Sequence, residues 1–483
     1  MNEPMKIEVD AMLGDILSCP LNSEAASLYV VMEGIRYVGE GPAKKDKIQE
    51  FTVLYKMAPG PHGLNTFESC TVFERKYIRL TNAGADPHLL QQAKQLGKIL
   101  SNIPCDENEE ILLITWDHGS AFGIFRDEDP KAPTAHVRSA ITDHLEHYPY
   151  LRRFWTAAMQ SDSLSTMMKK KVAQHRNPVV QGKVIPEILK NWKLATAIKT
   201  WLRGKGQKKV GVLVMLNCWM MNLHTLYSMK GVVKYLVAPE GNIDNPGYNY
   251  HDILLQLYNR FPHTPTPQEL AIHVVKTSHN EFMIDRAKQL NKLHPDTLSF
   301  RAIVNVRLDY GPSESNKLDE LFMTLHGIIE MLHKKLRQDR SGAFLLLLQH
   351  VRALSFDFTA ELVPMIDLPN YLFYLVAATN GLKKPVFTKA FANEVDKLQT
   401  QLLEGLPVVL PRWLGENCYY WNHEPIYSKL LSLKPTGFSI FFPDAKQIDP
   451  LVLDNVRDDL LLKTYFVRWK RILDKIHDGK RLP

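Results

Sequence analysis

Two short segments of the chain carry side chains that can do covalent chemistry. Residues 116–120 (WDHGS) contain His118 and follow the apolar run at 111–115, and residues 217–220 (NCWM) contain Cys218 and follow the run at 210–216. A thiolate is a strong nucleophile, and an imidazole can take the thiol proton and later give it to a leaving amine. The pair therefore predicts a Cys–His dyad of the kind that hydrolyses peptide bonds.

The elements around these segments bring them together. Residues 111–115 (ILLIT) and 210–216 (VGVLVML) are continuous apolar runs, typical of central parallel strands, whose carboxyl ends share one edge of a sheet. A helix predicted over 220–230 places Cys218 at a helix N-terminus, which favours its thiolate. Gly119 lets the backbone approach a substrate, so its N–H and that of Cys218 predict an oxyanion hole, each donor worth about 3 kcal/mol.

The strand–helix–strand order of the first half predicts an α/β sandwich around a mostly parallel sheet flanked by helices. The second half is mainly helical, and we place the division near residue 260, giving regions 1–260 and 261–483. The predicted strands are 27–33, 51–56, 71–80, 111–115, 210–216, 233–237, 299–308 and 435–442. The predicted helices are 86–100 (with Asp86 as N-cap and Pro87 first), 183–202, 220–230, 267–292, 314–338 and 384–404.

Residues 126–182 form a segment longer than a crossover between two strands needs. One interpretation is a solvated surface insertion. The other is a linker that proteases cut, with Lys169, Lys170, Lys171 and Arg176 as the candidate processing positions.

Composition excludes several classes of protein. The 483 residues are 45% hydrophobic and 23% charged, which excludes a largely disordered chain, and no apolar run reaches the length of a membrane helix. The net charge of +7 is small for a chain of this length, and the clusters of Lys and Arg are dispersed along the sequence. We therefore predict neither a nucleic-acid nor a membrane partner. The five scattered cysteines lack a CxxC pair, and the first residues are acidic where a signal peptide is apolar, which together predict a cytoplasmic protein. His224, on the helix after Cys218, is predicted to be structural or on the surface, and the alternative is a histidine that assists the dyad.

Both chemical segments resemble the motifs of one family. Residues 111–120 (ILLITWDHGS) are similar to the histidine motif of the clostripain-like cysteine peptidases, and residues 216–254 resemble their cysteine motif, including the YLVAPE strand and the PGYNY turn. Residues 435–443 (PTGFSIFFP) and 465–469 are similar to the late part of those proteins.

The resemblance implies a caspase-type fold, Cys218 as nucleophile and His118 as general base and acid. It also implies cleavage after Arg or Lys and processing between the two motifs, the interval that holds residues 126–182. Some members of the family respond to calcium, but the sequence has no EF-hand loop, so we predict neither a metal site nor a cofactor.

The sequence departs from the family where specificity is set. Two positions before the cysteine the family has an acid that lines the substrate pocket, and here Leu216 stands there, followed by Asn217. An apolar side chain cannot pair a buried guanidinium. Either another acid near the strand ends replaces it, or the preferred substrate residue is neutral, while Trp219 narrows or reshapes the cleft. The candidate acids are Asp117, Glu240, Asp244 and Asp309, and the other candidate pocket residues are Leu216, Asn217 and Trp219.

The prediction is an intracellular cysteine endopeptidase, regulated and with few protein substrates, acting in defence or cell death and controlled by a partner protein. The alternative is an inactive caspase-like scaffold that binds a partner. The presence of both Cys218 and His118 favours the enzyme, and the lost acid at Leu216 favours the scaffold.

Overall fold

The structure is a computed structural model of the chain. It describes residues 16–19, 26–37, 47–59, 65–79, 93–119, 121–125, 189–206, 209–241, 243, 247–260, 265–278, 303–310, 317–355, 365–380, 388–401, 438–442, 459–464 and 467–478.

The described strands and helices are numbered here in chain order. The strands are β1 (Tyr29–Tyr37), β2 (Lys47–Pro59), β3 (Asn65–Arg79), β4 (Leu112–Trp116), β5 (His118–Gly119), β6 (Gly123–Phe125), β7 (Leu189–Lys190), β8 (Val210–Leu216), β9 (Val233–Pro239), β10 (Ile303–Arg307), β11 (Met365–Asp367) and β12 (Ser439–Phe441). The helices are α1 (Ala93–Leu100), α2 (Asn191–Leu202), α3 (Leu223–Met229), α4 (Tyr250–Leu255, continued by a π turn at Gln256–Arg260), α5 (Pro267–Ser278), α6 (Lys317–Gln338), α7 (Ala343–Leu354), α8 (Leu368–Asn380), α9 (Lys389–Thr400), α10 (Leu460–Thr464) and α11 (Val467–Asp478).

The central sheet has the strand order β10-β9-β8-β4. Strands β4, β8 and β9 are parallel to one another, and β10 runs antiparallel to β9 at the edge. Every residue of β8 is buried, which explains why its sequence is continuously apolar rather than alternating. Helix α5 packs against β8, β9 and β10. The carboxyl ends of β4, β8 and β9 therefore form one edge of this sheet, called here the carboxyl edge, and their amino ends form the opposite, amino edge.

A small antiparallel sheet continues from the end of β4. Strand β5 pairs with β6, and β6 pairs with β7, which leads directly into α2. The Asn191 N–H donates to the Phe122 carbonyl at 2.9 Å and ties the start of α2 to this sheet. The chain that leaves β4 is thus turned back immediately at the carboxyl edge.

The C-terminal region packs against the segment that follows β8. Strands β11 and β12 pair antiparallel, and Ser439 of β12 bridges to Asn222, with the Ser439 N–H 3.3 Å from the Met221 carbonyl. The buried Arg352 donates from Nε to the Phe442 carbonyl at 2.6 Å, and Trp469 Nε1 donates to the Phe441 carbonyl at 3.2 Å. These bonds place β12 between the C-terminal helices and α3.

The predicted fold class, an α/β sandwich with a mostly parallel sheet flanked by helices, is confirmed. Strands β1, β2 and β3 form a separate antiparallel sheet, as their alternating polar and apolar residues allow. The helix predicted over 314–338 corresponds to α6, whereas α7 and α8 were not predicted, because their apolar runs match any buried segment. The helix start at Asp86 and the insertion 126–182 lie outside the described residues.

Within the described ranges, no helix combines the length and the apolar character needed to cross a membrane.

Candidate active site

The Cys218 thiol lies just beyond the last residue of β8. It is a half-buried cysteine that forms no disulfide, and the backbone N–H of Ile243 points at its sulfur with N and Sγ 3.5 Å apart. A hydrogen-bond donor directed at sulfur stabilises the thiolate relative to the thiol. The site therefore holds a reachable sulfur in a setting that favours its nucleophilic form.

The prediction that Cys218 begins a helix is wrong. Helix α3 starts at Leu223, and its N-cap is Asn222, whose Oδ1 accepts the Thr225 N–H at 2.9 Å. Between them the chain makes a turn in which Trp219 has φ +60°, and the Trp219 N–H donates to the Gly241 carbonyl at 2.9 Å. A left-handed bulky residue is unusual and costs about 1–3 kcal/mol. The sulfur therefore sits on a strained turn, and the Ile243 N–H provides the donor that we expected from the helix.

The His118 segment forms the short strand β5. Its backbone pairs with Phe125 of β6, and Gly119 pairs with Ile124. The structure describes the backbone of His118, while its imidazole lies outside the described part, so the geometry of the dyad stays a prediction. Ala121, in the turn between β5 and β6, has φ +61° and is the second described residue other than glycine in the left-handed region.

The two motifs meet at Gly119. A Cβ placed there would lie 2.0 Å from the Cys218 carbonyl oxygen and 2.7 Å from the Cys218 nitrogen, so the two backbones are in contact. A side chain at position 119 would force them apart, which explains the glycine. The structure thus brings the predicted histidine and cysteine segments together at the carboxyl edge. The oxyanion hole formed by the N–H groups of Gly119 and Cys218 stays a prediction.

A buried amide network holds this region, and the sequence analysis missed it. The Ala121 carbonyl accepts from Asn191 Nδ2 at 3.0 Å and from Asn222 Nδ2 at 3.1 Å, and Asn191 Nδ2 also lies 3.0 Å from Thr225 Oγ1. Asn222 Nδ2 donates as well to the Trp219 carbonyl. One sequence signal was available, because an Asn directly before a helical run is a preferred N-cap.

Leu216 and Trp219, two predicted pocket residues, are buried in apolar packing. A Cβ at Gly247, which has φ +76°, would lie 2.0 Å from Leu216 Cδ1, so the leucine side chain rests on the Gly247 backbone. Tyr248 donates from its hydroxyl to the Met215 carbonyl at 3.1 Å and holds this turn on β8. Trp219 is only 4% exposed. The position where the family has an acid is therefore filled by a covered apolar group.

The remaining candidate pocket residues differ in burial and in position. Glu240 follows the end of β9 and is fully buried, and Asn217 is fully buried at the end of β8. Asp117 follows β4 and is half-buried. Asp244 and the candidate processing positions (Lys169, Lys170, Lys171 and Arg176) lie outside the described residues.

Asp309 does not belong to the pocket, which corrects the prediction. It follows β10, and because β10 is antiparallel to β9, its carboxyl end lies at the amino edge. There its carboxylate pairs with Lys209, directly before β8, at 2.6 Å. The apolar pattern of a strand does not reveal its direction, so the sequence placed Asp309 at the wrong edge.

His224 is structural, which is one of the interpretations that the sequence allows, and it does not lie on the surface. Its side chain is fully buried, with Nδ1 2.9 Å from Asp459 Oδ1, and its ring contacts Phe122 edge-on at 4.9 Å between centroids. Asp459 Oδ1 also accepts the Leu462 N–H at the start of α10. His224 thus joins the C-terminal region to the turn that follows Gly119.

A metal centre finds no support in the described part of the chain. No three His, Cys, Asp or Glu side chains there lie close enough together to hold an ion. We therefore derive no step through calcium.

Solved structures similar to this chain are C11 cysteine proteases, the clostripain-like family that the motifs resemble. An inactive zymogen C11 protease from Parabacteroides distasonis is 12% identical with a TM-score of 0.47, over 96% of this chain and 95% of that chain. A secreted C11 cysteine protease from Bacteroides thetaiotaomicron in complex with an irreversible peptide inhibitor is 8% identical with a TM-score of 0.44, over 85% and 80%. A second structure from that organism, a secreted C11 cysteine protease called iotapain, is 11% identical with a TM-score of 0.42, over 84% and 83%.

No protein-family model and no curated protein matches the chain. Because each of these TM-scores is below 0.5, the case for function rests on the residues of this chain.

Proposed function

We propose that the chain is a cysteine endopeptidase in which Cys218 is the nucleophile and His118 the general base and acid. The observation that supports this most is the contact between the Gly119 and Cys218 backbones, which places a half-exposed thiol beside the histidine segment. The Ile243 N–H donates to the sulfur, which favours the thiolate. The turns at Ala121 and Trp219 have left-handed backbones, and such strain is common at functional sites.

The proposed reaction has two steps. The Cys218 thiolate forms a bond to the substrate carbonyl carbon, the C–N bond breaks, and His118 gives its proton to the leaving amine. A water molecule then attacks the thioester, His118 takes a proton from it, and the C–S bond breaks to release the acid and the thiolate. Backbone N–H groups near Gly119 and Cys218 would stabilise the oxyanion of both steps.

We propose a neutral substrate residue before the scissile bond. Leu216 is apolar and covered by Gly247, and Asp309 is paired with Lys209 at the other edge. Leu216 offers no charge to a guanidinium buried beside it, and an unpaired buried charge is costly. We further propose a regulated, cytoplasmic enzyme with few protein substrates, controlled by a partner protein in defence or cell death, and active without an added metal ion.

The test is cleavage of a peptide mixture that varies the residue before the scissile bond, read by mass spectrometry in EDTA and in calcium. Wild type should cleave after neutral residues, and Cys218→Ala should cleave nothing. Cys105→Ala is the matched control, because Cys105 is also a half-buried thiol that forms no disulfide. Cleavage after Arg or Lys would refute the neutral preference alone, and hundreds of unrelated cleavages in a lysate would refute the few-substrate role.

An irreversible thiol reagent separates enzyme from scaffold. Burial, with the neighbouring Glu109 carboxylate, raises the pKa of the Cys105 thiol, so Cys105 should react slowly at neutral pH. If Cys218 reacts no faster than Cys105 and wild type cleaves nothing, the proposal fails and the inactive scaffold is the better account.

A further inference from the structure

The carboxamide of Asn217 joins the two segments that carry the proposed dyad. Its Oδ1 accepts from Thr115 Oγ1 at 2.7 Å, and its Nδ2 donates to the Asp117 carbonyl at 2.8 Å. The side chain is fully buried. The residue directly before Cys218 is thus bonded to the residue directly before His118.

These bonds stand where the strand ladder stops. The last pair between β4 and β8 is Trp116 with Leu216, after which the chain from β4 turns into β5. One step beyond, Asn217 supplies from its side chain the connection that backbone pairing no longer makes. A backbone carbonyl only accepts, so the amide nitrogen must face Asp117 and the amide oxygen must face the Thr115 hydroxyl.

We propose that Asn217 is the positioning residue of the Cys–His dyad, an inference that rests on the proposed function. Gly119 lies against the Cys218 backbone with no spare room, so the relative position of the two segments depends on a few contacts. Displacement of reacting groups by about 1 Å lowers a catalytic rate by about 100-fold. Asn217 sets that position without touching the substrate.

The test is Asn217→Asp, which keeps the shape of the side chain and replaces the donor to Asp117 by an acceptor. We expect kcat for a cleaved peptide to fall about 100-fold while KM changes less than about threefold. The new carboxylate also repels a thiolate, so the pH midpoint of Cys218 alkylation is read in Thr115→Val, which adds no charge. There we expect it to rise toward that of a free thiol, about 8.5, because the thiolate loses its imidazole partner. Protonation of the introduced carboxyl restores a donor, so the ratio of variant to wild-type activity should rise as the pH falls.

Three variants control for a purely structural effect. Thr115→Ser keeps the hydroxyl and should behave as wild type. Thr115→Val removes it and should lower kcat about 10-fold, because the buried Oδ1 of Asn217 loses its donor. Asn305→Asp places a carboxyl at another fully buried amide of the sheet, on β10, and should lower the melting temperature without moving the alkylation midpoint.

The outcomes separate this inference from the proposed function. If wild type cleaves peptides through Cys218 and Asn217→Asp behaves like Asn305→Asp, the positioning role is wrong and the peptidase stands. If wild type cleaves nothing but its Cys218 midpoint is low and Thr115→Val raises it, the positioning stands and the peptidase fails. If Asn217→Asp does not fold, Thr115→Val decides, and an unchanged kcat and midpoint there would overturn the inference.

Discussion

At the amino edge of the central sheet, Lys209 pairs with Asp309 at 2.6 Å and Lys234 pairs with Glu110 at 2.7 Å, and these side chains are 27–35% exposed. At the carboxyl edge, the polar groups of Asn217 and Asn222 are fully buried and bonded to backbone carbonyls. Water reaches the two ion pairs of the amino edge, and it does not reach these two amides of the carboxyl edge.

The difference shows how the sheet divides stability and function. Exposed ion pairs contribute about 0–1 kcal/mol and tolerate a range of geometries. A buried amide tolerates few geometries, because losing a partner costs about 1–3 kcal/mol. The left-handed residues Ala121 and Trp219 also lie at the carboxyl edge. The rigid and strained edge is therefore the one that holds the proposed chemistry, and the following substitutions test that contrast.

The largest effect is expected at Gly119. Gly119→Ala puts a methyl group 2.0 Å from the Cys218 carbonyl oxygen and must separate the two backbones. We expect peptide cleavage to fall at least about 100-fold, since the reacting groups move apart. Steady-state kinetics measure this, and the control is Gly327→Ala on α6, where nothing lies within 4 Å of the new Cβ and the backbone is helical. An unchanged kcat in Gly119→Ala would contradict the view that the carboxyl edge tolerates few geometries.

The next effect is expected at Gly247, which has φ +76°. Gly247→Ala brings a Cβ to 2.0 Å from Leu216 Cδ1 and forces a left-handed alanine, so we expect a loss of about 2–4 kcal/mol in unfolding free energy. Urea denaturation measures it. Adding Leu216→Ala removes the clashing methyl groups but leaves the left-handed backbone. The double variant should therefore lose less unfolding free energy than the two single variants lose together. A purely additive double variant would show that the packing of Leu216 on Gly247 is unimportant.

A smaller effect is expected at Asn222. Asn222→Ala removes the N-cap of α3 and the donor to the Ala121 and Trp219 carbonyls. We expect a loss of about 1–3 kcal/mol in unfolding free energy. Asn222→Ser keeps a cap but not the amide donor, so it should recover only part of this loss. A full recovery by serine would assign the whole effect to the helix cap.

The smallest effect is expected at the amino edge. Asp309→Asn removes the charge that pairs with Lys209, and the unfolding free energy should change by less than about 1 kcal/mol. The effect should shrink further in 1 M salt. Peptide preference should stay as in wild type, because Asp309 lies at the other edge from Cys218. A changed preference would return Asp309 to the pocket.

The sequence predicted the central strands β4, β8 and β9, because continuous apolar runs mark such strands and ligands bind beyond their carboxyl ends. It failed on the start of α3, since Trp219, Met220 and Met221 look helical by type while the backbone of Trp219 is left-handed. It failed on Asp309 because β10 is buried along most of its length, and such a strand does not reveal its direction by its apolar residues. The hydrogen bonds of Asn191 and Asn217 join residues that are 70 and 100 positions apart in the chain, and no local pattern predicts such contacts.

The contact between His224 and Asp459 has a consequence for the time at which the site forms during synthesis. The two residues are 235 positions apart, and the bridge of Ser439 to the Met221–Asn222 segment spans a similar distance. At about 5–20 residues per second, the ribosome adds Asp459 roughly 10–50 s after His224. During that interval the C-terminal residues that pack against α3 have not been made, so the face of α3 that they bury is exposed. A nascent chain therefore contains Cys218 long before it contains the residues that complete the surroundings of the site. A polypeptide that ends before residue 459 would contain both motif segments but would lack the C-terminal residues that pack against α3.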